Sequence, residues 1–256
     1  MSDSDHEAIA HLFQEPEGFF KPAPEPTFAT HTLLSGSELK LRLVGHNPLW
    51  GHLLWNAGRT ISYYLEENAH ALLSGRNVLE LGAGAGLPGI VSAIKGASSV
   101  VISDYPDSDL IENIAHNIVT CNEVVDKSKL HASGHLWGAP VENLIALLPQ
   151  ESRLKKFQTV LLADLLFNHS EHAKLISSIK QTLQKDANAC ALVFFTPYRP
   201  WLLEKDLSFF DLARDHQFQV KQIFEKVMDD VLFENDPGDE LLRRTVFGYE
   251  LKWSTT

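Results

Sequence analysis

The segment Val78-Leu79-Glu80-Leu81-Gly82-Ala83-Gly84-Ala85-Gly86-Leu87-Pro88-Gly89 constrains this chain more than any other. A short apolar run is followed by glycines at alternate positions and then by a proline. That order predicts a buried strand, a tight turn and the opening of a helix. Glycine reaches left-handed backbone conformations and puts no Cβ in the way of a ligand. Pro88 suits the first turn of a helix, and Gly96 stands where that helix should stop. The turn therefore offers free backbone N–H groups and a helix N-terminus to whatever binds beside it.

The spacing narrows the ligand. A dinucleotide fingerprint wants a Gly or Ala three residues after the second glycine, and Leu87 stands there. A phosphate-binding Walker loop needs Gly-Lys-Ser/Thr at its end, and this segment has none. What remains is Glu80-x-Gly82-x-Gly84-x-Gly86, which resembles motif I of the S-adenosylmethionine-dependent methyltransferases with a seven-stranded sheet. That cofactor carries a cationic amino group and a sulfonium, so a carboxylate beside the glycines is apt. A glycine-rich turn without a ligand is the plainer alternative. The next apolar run, Val100-Val101-Ile102-Ser103, ends at Asp104, 20 residues after Gly84. An acid at that spacing in a doubly wound fold accepts hydrogen bonds from ribose hydroxyls, whereas a turn residue before Pro106 would need no ligand.

The rest of the chain reads as alternating helices and strands. Residues 1–46 form an extension. A short helix is expected over 6–13, and prolines break the stretch from Glu15 to Phe28. Phe13, Phe19, Phe20 and Phe28 suggest packing against the body, residues 47–256. Residues 37–43 alternate as a strand would. Residues 50–64 read as a helix with Trp50, Leu53, Leu54, Ala57, Ile61 and Tyr64 on one face. Trp55 lies off that stripe, so it faces either the extension or a ligand. A second helix spans 109–119, with Ala115 on its inner face and Asp109 and Glu112 at capping-box spacing. A short strand at 130–135 leads to Trp137, placed either as a wall for an adenine ring or as a surface tryptophan.

Residues 157–164 make an apolar, central strand ending in Asp164-Leu165-Leu166-Phe167-Asn168-His169. Ligands in open α/β sheets bind at the carboxyl ends of strands, near the switch in strand order. An acid, an aromatic and a histidine here are placed for chemistry. Their plainer roles are a turn residue, a core residue and a first-turn residue. Asn168 and Glu171 have capping spacing. Further segments predict a strand at 189–196, a helix at 202–216 and strand-like runs at 219–226 and 245–253, which fit a closing antiparallel hairpin.

Composition bounds the function. The chain has 256 residues, 44% of them hydrophobic, enough for a large core. A net charge of −11 argues against nucleic-acid binding and suits a basic protein partner. No apolar run reaches membrane-spanning length. The acidic start lacks a basic leader region, and two cysteines make neither a disulfide framework nor a metal site. A reducing, cytoplasmic location and no metal are expected.

Taken together, Trp50 to Gly58, Glu80 to Gly89, Asp104-Tyr105-Pro106, Leu136-Trp137-Gly138 and Ala163 to His169 resemble the lysine methyltransferase-like branch of the seven-stranded fold, methyltransferase family 16. Within it the similarity is to fungal enzymes that modify the N-terminus and adjacent lysine of translation elongation factor 1-alpha, formerly labelled nicotinamide N-methyltransferase-like. The resemblance implies a Rossmann-like α/β sheet with helices on both faces and an antiparallel C-terminal hairpin. It implies S-adenosyl-L-methionine as cofactor, contacted by Trp55, Gly82, Ala83, Gly84, Asp104, Trp137 and Ala163, with Glu80 beside them. For methyl transfer to an amine, the residues at the end of the 157–164 strand are the candidate catalytic residues: Asp164 orienting the amine, Phe167 facing it, His169 accepting a proton. Phe167 stands where many relatives have Tyr, so no phenolic role carries over. The expected partner is a basic protein segment, and a monomer is expected. A small-molecule N-methyltransferase and a silent cofactor-fold scaffold are the competing functions.

Overall fold

The computed structural model describes residues 25–45, 47–48, 50–151 and 156–254. The expected helix over 6–13 and the positions of Phe13, Phe19 and Phe20 lie outside these residues. The described chain begins with an antiparallel pair, β1 (Thr27–Thr32) and β2 (Glu38–Leu43). The second strand was legible from its alternation. The first follows the proline-rich stretch and alternates Thr, Phe, Ala, Thr, His, Thr, turning His31 inward and leaving Phe28 exposed under Lys40.

The main sheet has seven strands: β3 (Asn77–Leu81), β4 (Ser99–Asp104), β5 (Leu130–Gly134), β6 (Thr159–Ala163), β7 (Cys190–Phe195), β8 (Phe218–Val227) and β9 (Thr245–Trp253). Their order is β5-β4-β3-β6-β7-β9-β8. The first five run parallel, and β9 runs antiparallel between β7 and β8. Strand order reverses between β3 and β6, which is where open α/β sheets bind ligands.

Helices cover both faces: α1 (Asn56–Glu67), α2 (Leu87–Ile94), α3 (Ser108–Thr120), α4 (His172–Thr182) and α5 (Leu203–Asp215). Successive strand residues point to opposite faces. Val78, Val100, Ile102 and Leu161 therefore pack with α1, α2 and α3 in one core. Leu79, Leu81, Val101 and Val160 pack with α4 and α5 in the other. Burial on both faces explains why β4 and β7 carry continuous apolar runs, and why β3 is apolar apart from Asn77 and Glu80.

Four local expectations are corrected. The helix expected from residue 50 starts at Asn56. Trp50 has a left-handed backbone, φ 63°, and Trp55 is an extended N-cap residue, so the stretch before Asn56 cannot be helical. In α3 the cap is Asp107, whose carboxylate accepts from the N–H groups of Asp109 and Leu110, in place of the expected Asp109–Glu112 box. Ala115 is exposed, and Asn113 and Asn117 take the inner positions. Their burial is offset by bonding: both amides donate to the Arg42 carbonyl, and Asn117 also accepts from the Arg42 N–H. Finally, Asn168 makes no side-chain cap with Glu171, whose carboxylate pairs with Lys174 at 2.9 Å.

Candidate functional site

Register brings the candidate residues to one edge of the sheet. Leu81 pairs with Ser103 and Leu162, Asp104 with Gly134, and Ala163 with Phe194. The residues that end or follow β3, β4, β5 and β6 thus open on the same side. There they line a cleft of about 680 Å³. That volume lies within the range of small-molecule and cofactor sites.

One end is built from backbone. Gly82 and Gly84 have φ of 60° and 56°. A Cβ on Gly82 would stand 2.7 Å from Leu165 and 2.9 Å from Trp137, so this glycine lets both side chains close on the turn. A Cβ on Gly84 would meet nothing within 4 Å, because that position faces open cleft. The Gly84 N–H donates to Asp104 Oδ2 at 2.6 Å, and the Tyr105 N–H donates to Oδ1 at 2.6 Å. Burial raises the Asp104 carboxyl above the ordinary aspartate range, and the two N–H groups pull it back. Glu80 is buried, and its Oε2 accepts the Gly89 N–H at 2.7 Å. It therefore caps α2 from the neighbouring strand while lining the cleft. Burial pushes its carboxyl up to about 8.

The wall opposite the glycines comes from the loop after β5. His135 is buried, with Nε2 3.0 Å from Ser178 Oγ on α4. The same hydroxyl accepts the Gly138 N–H at 2.9 Å. This tether fixes the two residues between them, Leu136 and Trp137, along the cleft.

The other end is built from side chains. Asp164 leaves β6 with φ 54° and is buried. Its Oδ2 accepts the Ala57 N–H at 2.9 Å and the Tyr198 hydroxyl at 3.2 Å; its Oδ1 accepts the Thr196 N–H at 2.7 Å. Burial pushes this carboxyl up to about 7, against the pull of those bonds. Trp55 and Phe167 both line the cleft with nearly parallel rings, 6.1 Å between centroids and 13° between planes. Tyr198 and Phe233 meet Trp55 edge-on at 5.2 and 5.8 Å.

Trp55, Glu80, Gly82, Ala83, Gly84, Asp104, Trp137, Ala163, Asp164 and Phe167 therefore share one cleft. His169 does not join them. Its Nε2 lies 2.7 Å from Asp206 Oδ1 on α5, so the expected proton acceptor instead ties the loop after β6 to that helix. Tyr198 was legible only as the end of a strand, although the strand-end rule points to it. Phe233, in the loop between β8 and β9, carries no local signal. Among the described residues no group of three or more His, Cys, Asp or Glu side chains could hold a metal ion. Nor is any helix among them long and apolar enough to cross a membrane.

A family model described as lysine methyltransferase matches residues 34–216. An Aspergillus fumigatus protein named protein N-terminal and lysine N-methyltransferase efm7 is 52% identical over 99% of this chain and 97% of its own. A Schizosaccharomyces pombe protein of the same name is 43% identical over 98% of each. Among solved structures, P. horikoshii TYW2 in complex with MeSAdo superposes with a TM-score of 0.53 at 15% identity, covering 90% of this chain and 73% of that one. At that identity the likeness concerns the fold.

Proposed function

The chain belongs to the lysine methyltransferase family, and from that premise we propose that it methylates the N-terminal amine, the adjacent lysine, or both, of translation elongation factor 1-alpha. The activity class is that of an S-adenosylmethionine-dependent protein N-methyltransferase. The observation that carries the site assignment is that the acid–glycine cradle and an aromatic end floored by Asp164 occupy one cleft.

The residues present fit S-adenosyl-L-methionine. Gly84 keeps open the space a Cβ would fill, and Asp104 presents a carboxylate at the spacing that suits ribose hydroxyls. Glu80, Gly82, Ala83, Trp137 and Ala163 complete the holding set, with Trp137 as an aromatic wall, while Trp55, expected among the cofactor contacts, lies against Phe167 at the acceptor end. When bound, this cofactor supplies a methyl group activated by a sulfonium.

At the other end the acceptor must arrive as a neutral amine. An α-amino group has a pKa of about 7.7–8.0 and a lysine about 10.4, so the lysine needs more help by roughly 3.5 kcal/mol. Asp164 orients the amine, its own carboxylate held in place by the Ala57 and Thr196 N–H groups and the Tyr198 hydroxyl. Phe167 offers an aromatic face to the developing ammonium. Alignment supplies most of the rate.

The partner is a basic protein segment, in keeping with the net charge of −11. The chain acts as a cytoplasmic monomer, with residues 47–256 as its methyltransferase domain. The test is mass spectrometry of elongation factor 1-alpha lacking its initiator methionine, after incubation with isotopically labelled donor. Label on its first residues upholds the target. No label there, with donor binding shown by a melting shift on S-adenosylhomocysteine, overturns it; label on nicotinamide instead would mark a small-molecule enzyme.

A further inference from the structure

Phe233 stands apart from both hydrophobic cores. So do Trp55, Phe167 and Tyr198; these rings form one contact cluster, of which Trp55 and Phe167 line the cleft. An aromatic cluster outside the core, in contact with a site, needs a reason beyond folding.

The loop that carries Phe233 is firmly held. Arg243 is 6% exposed and donates from Nη1 to the Phe233 carbonyl at 2.7 Å. Arg244 Nη1 donates to the Met228 and Asp229 carbonyls at 3.0 and 3.2 Å. Further along, Gly238, at φ 96°, packs on Pro200 and Trp201, just after Tyr198. Burying an arginine is costly, so the buried Arg243, with the half-buried Arg244 beside it, marks a segment whose position matters. Both backbone anchors converge on the residues around Phe233.

What this position does follows from the ring geometry. Trp55 presents one face toward Phe167 within the cleft, at 13° between planes. Phe233 and Tyr198 meet the same indole edge-on, at 67° and 63°, and touch each other at 5.5 Å. A further bond, from Trp55 Nε1 to the Trp50 carbonyl at 3.2 Å, fixes the indole's remaining edge. The indole is thus held by Phe233, Tyr198 and the Trp50 carbonyl as well as by Phe167. Residues 228–240 of this loop carry six acids and no Lys, Arg or His, which suits a cationic visitor.

We propose that Phe233 is a positioning residue for the acceptor: it braces Trp55 against Phe167, so that the amine and its stem are received on the facing aromatic surfaces beside Asp164. This rests on the methyltransferase reading above and extends it to the β8–β9 loop, which then helps select the acceptor.

The experiment compares wild type, Phe233→Ala and Phe233→Tyr, measuring acceptor KM, kcat and the melting shift on S-adenosylhomocysteine. The expected result is an acceptor KM raised about tenfold in Phe233→Ala, an unchanged donor shift, and recovery to within about twofold in Phe233→Tyr. An acceptor KM unaltered in Phe233→Ala overturns the proposal. So does a parallel loss of donor binding, or a failure of Phe233→Tyr to recover while its unliganded melting temperature matches wild type. A wild type that leaves elongation factor 1-alpha unlabelled defeats that target alone; the same three proteins are then compared on the lysate protein that wild type does label.

Discussion

The two ends of the cleft are made differently. The cofactor end is backbone: Gly82 and Gly84 with left-handed φ, and N–H groups given to Asp104 and Glu80. The acceptor end is side chains: Trp55, Phe167, Tyr198 and Phe233, arranged around Asp164. Each end has an acid that caps a helix from a neighbouring strand, Glu80 for α2 and Asp164 for α1. The difference teaches where specificity can change. A backbone cradle serves one ligand and tolerates few substitutions, whereas an aromatic surface gathered from separate loops can be re-cut for another acceptor.

The comparison is most easily broken at Gly84. Valine there projects a branched side chain into the cleft from a left-handed backbone, which itself costs about 1–2 kcal/mol. Donor affinity measured by calorimetry should fall at least about 100-fold, roughly 2.7 kcal/mol. The fold should survive, because the new side chain meets no protein atom within 4 Å at its Cβ.

Asp164→Ala should act on the other end and on stability. It strands the Ala57 and Thr196 N–H groups and the Tyr198 hydroxyl. Unsatisfied buried groups cost about 1–3 kcal/mol each. With three such groups, a melting temperature lowered by at least about 6 °C is expected at about 2–4 °C per kcal/mol. Methyl transfer should be lost while the donor still binds, and Asp164→Asn should recover part of the melting loss.

A smaller effect separates the two ends by pH. Glu80 is pushed from 4.5 to about 8, so the folded state holds its proton more tightly than the unfolded chain does. Its contribution to stability is full below about 4.5 and is lost as pH rises through 8. Urea titrations of Glu80→Gln should show a flatter decline between those values than wild type.

The smallest effect lies outside both ends. His31 is buried with neither ring nitrogen bonded, and burial beside Arg59 lowers it to about 4. Here the sign reverses: its contribution is full above about 6.5 and is lost as pH falls through 4. Hydrogen-exchange protection in β1 and β2, taken relative to the intrinsic amide rate at each pH, should fall over that window in wild type and much less in His31→Phe, with methyl transfer at neutral pH unchanged.

The contrast also explains what could be read from the sequence. The cofactor end is contiguous, since a strand, a glycine turn and an acid 20 residues on must lie in fixed order, and the sheet follows from runs that are buried on both faces. The helix at Asn56 was misjudged because Trp50, Leu53 and Leu54 continue its apolar period while φ at Trp50 forbids the helix. His169 looked catalytic from its place beside Asp164, but only tertiary packing reveals Asp206, 37 residues away, as its partner. Phe233 is silent for the same reason: its meaning lies in Tyr198, a helix and a strand away, and in Trp55, most of the sheet away.

The most direct measurement is a crossed one, donor Kd and acceptor KM in Trp137→Ala and Phe167→Ala. Two separable ends require Trp137→Ala to weaken the donor about tenfold or more with little change in acceptor KM, and Phe167→Ala to do the reverse. Loss of donor affinity to the same extent in both variants would contradict the division of the cleft.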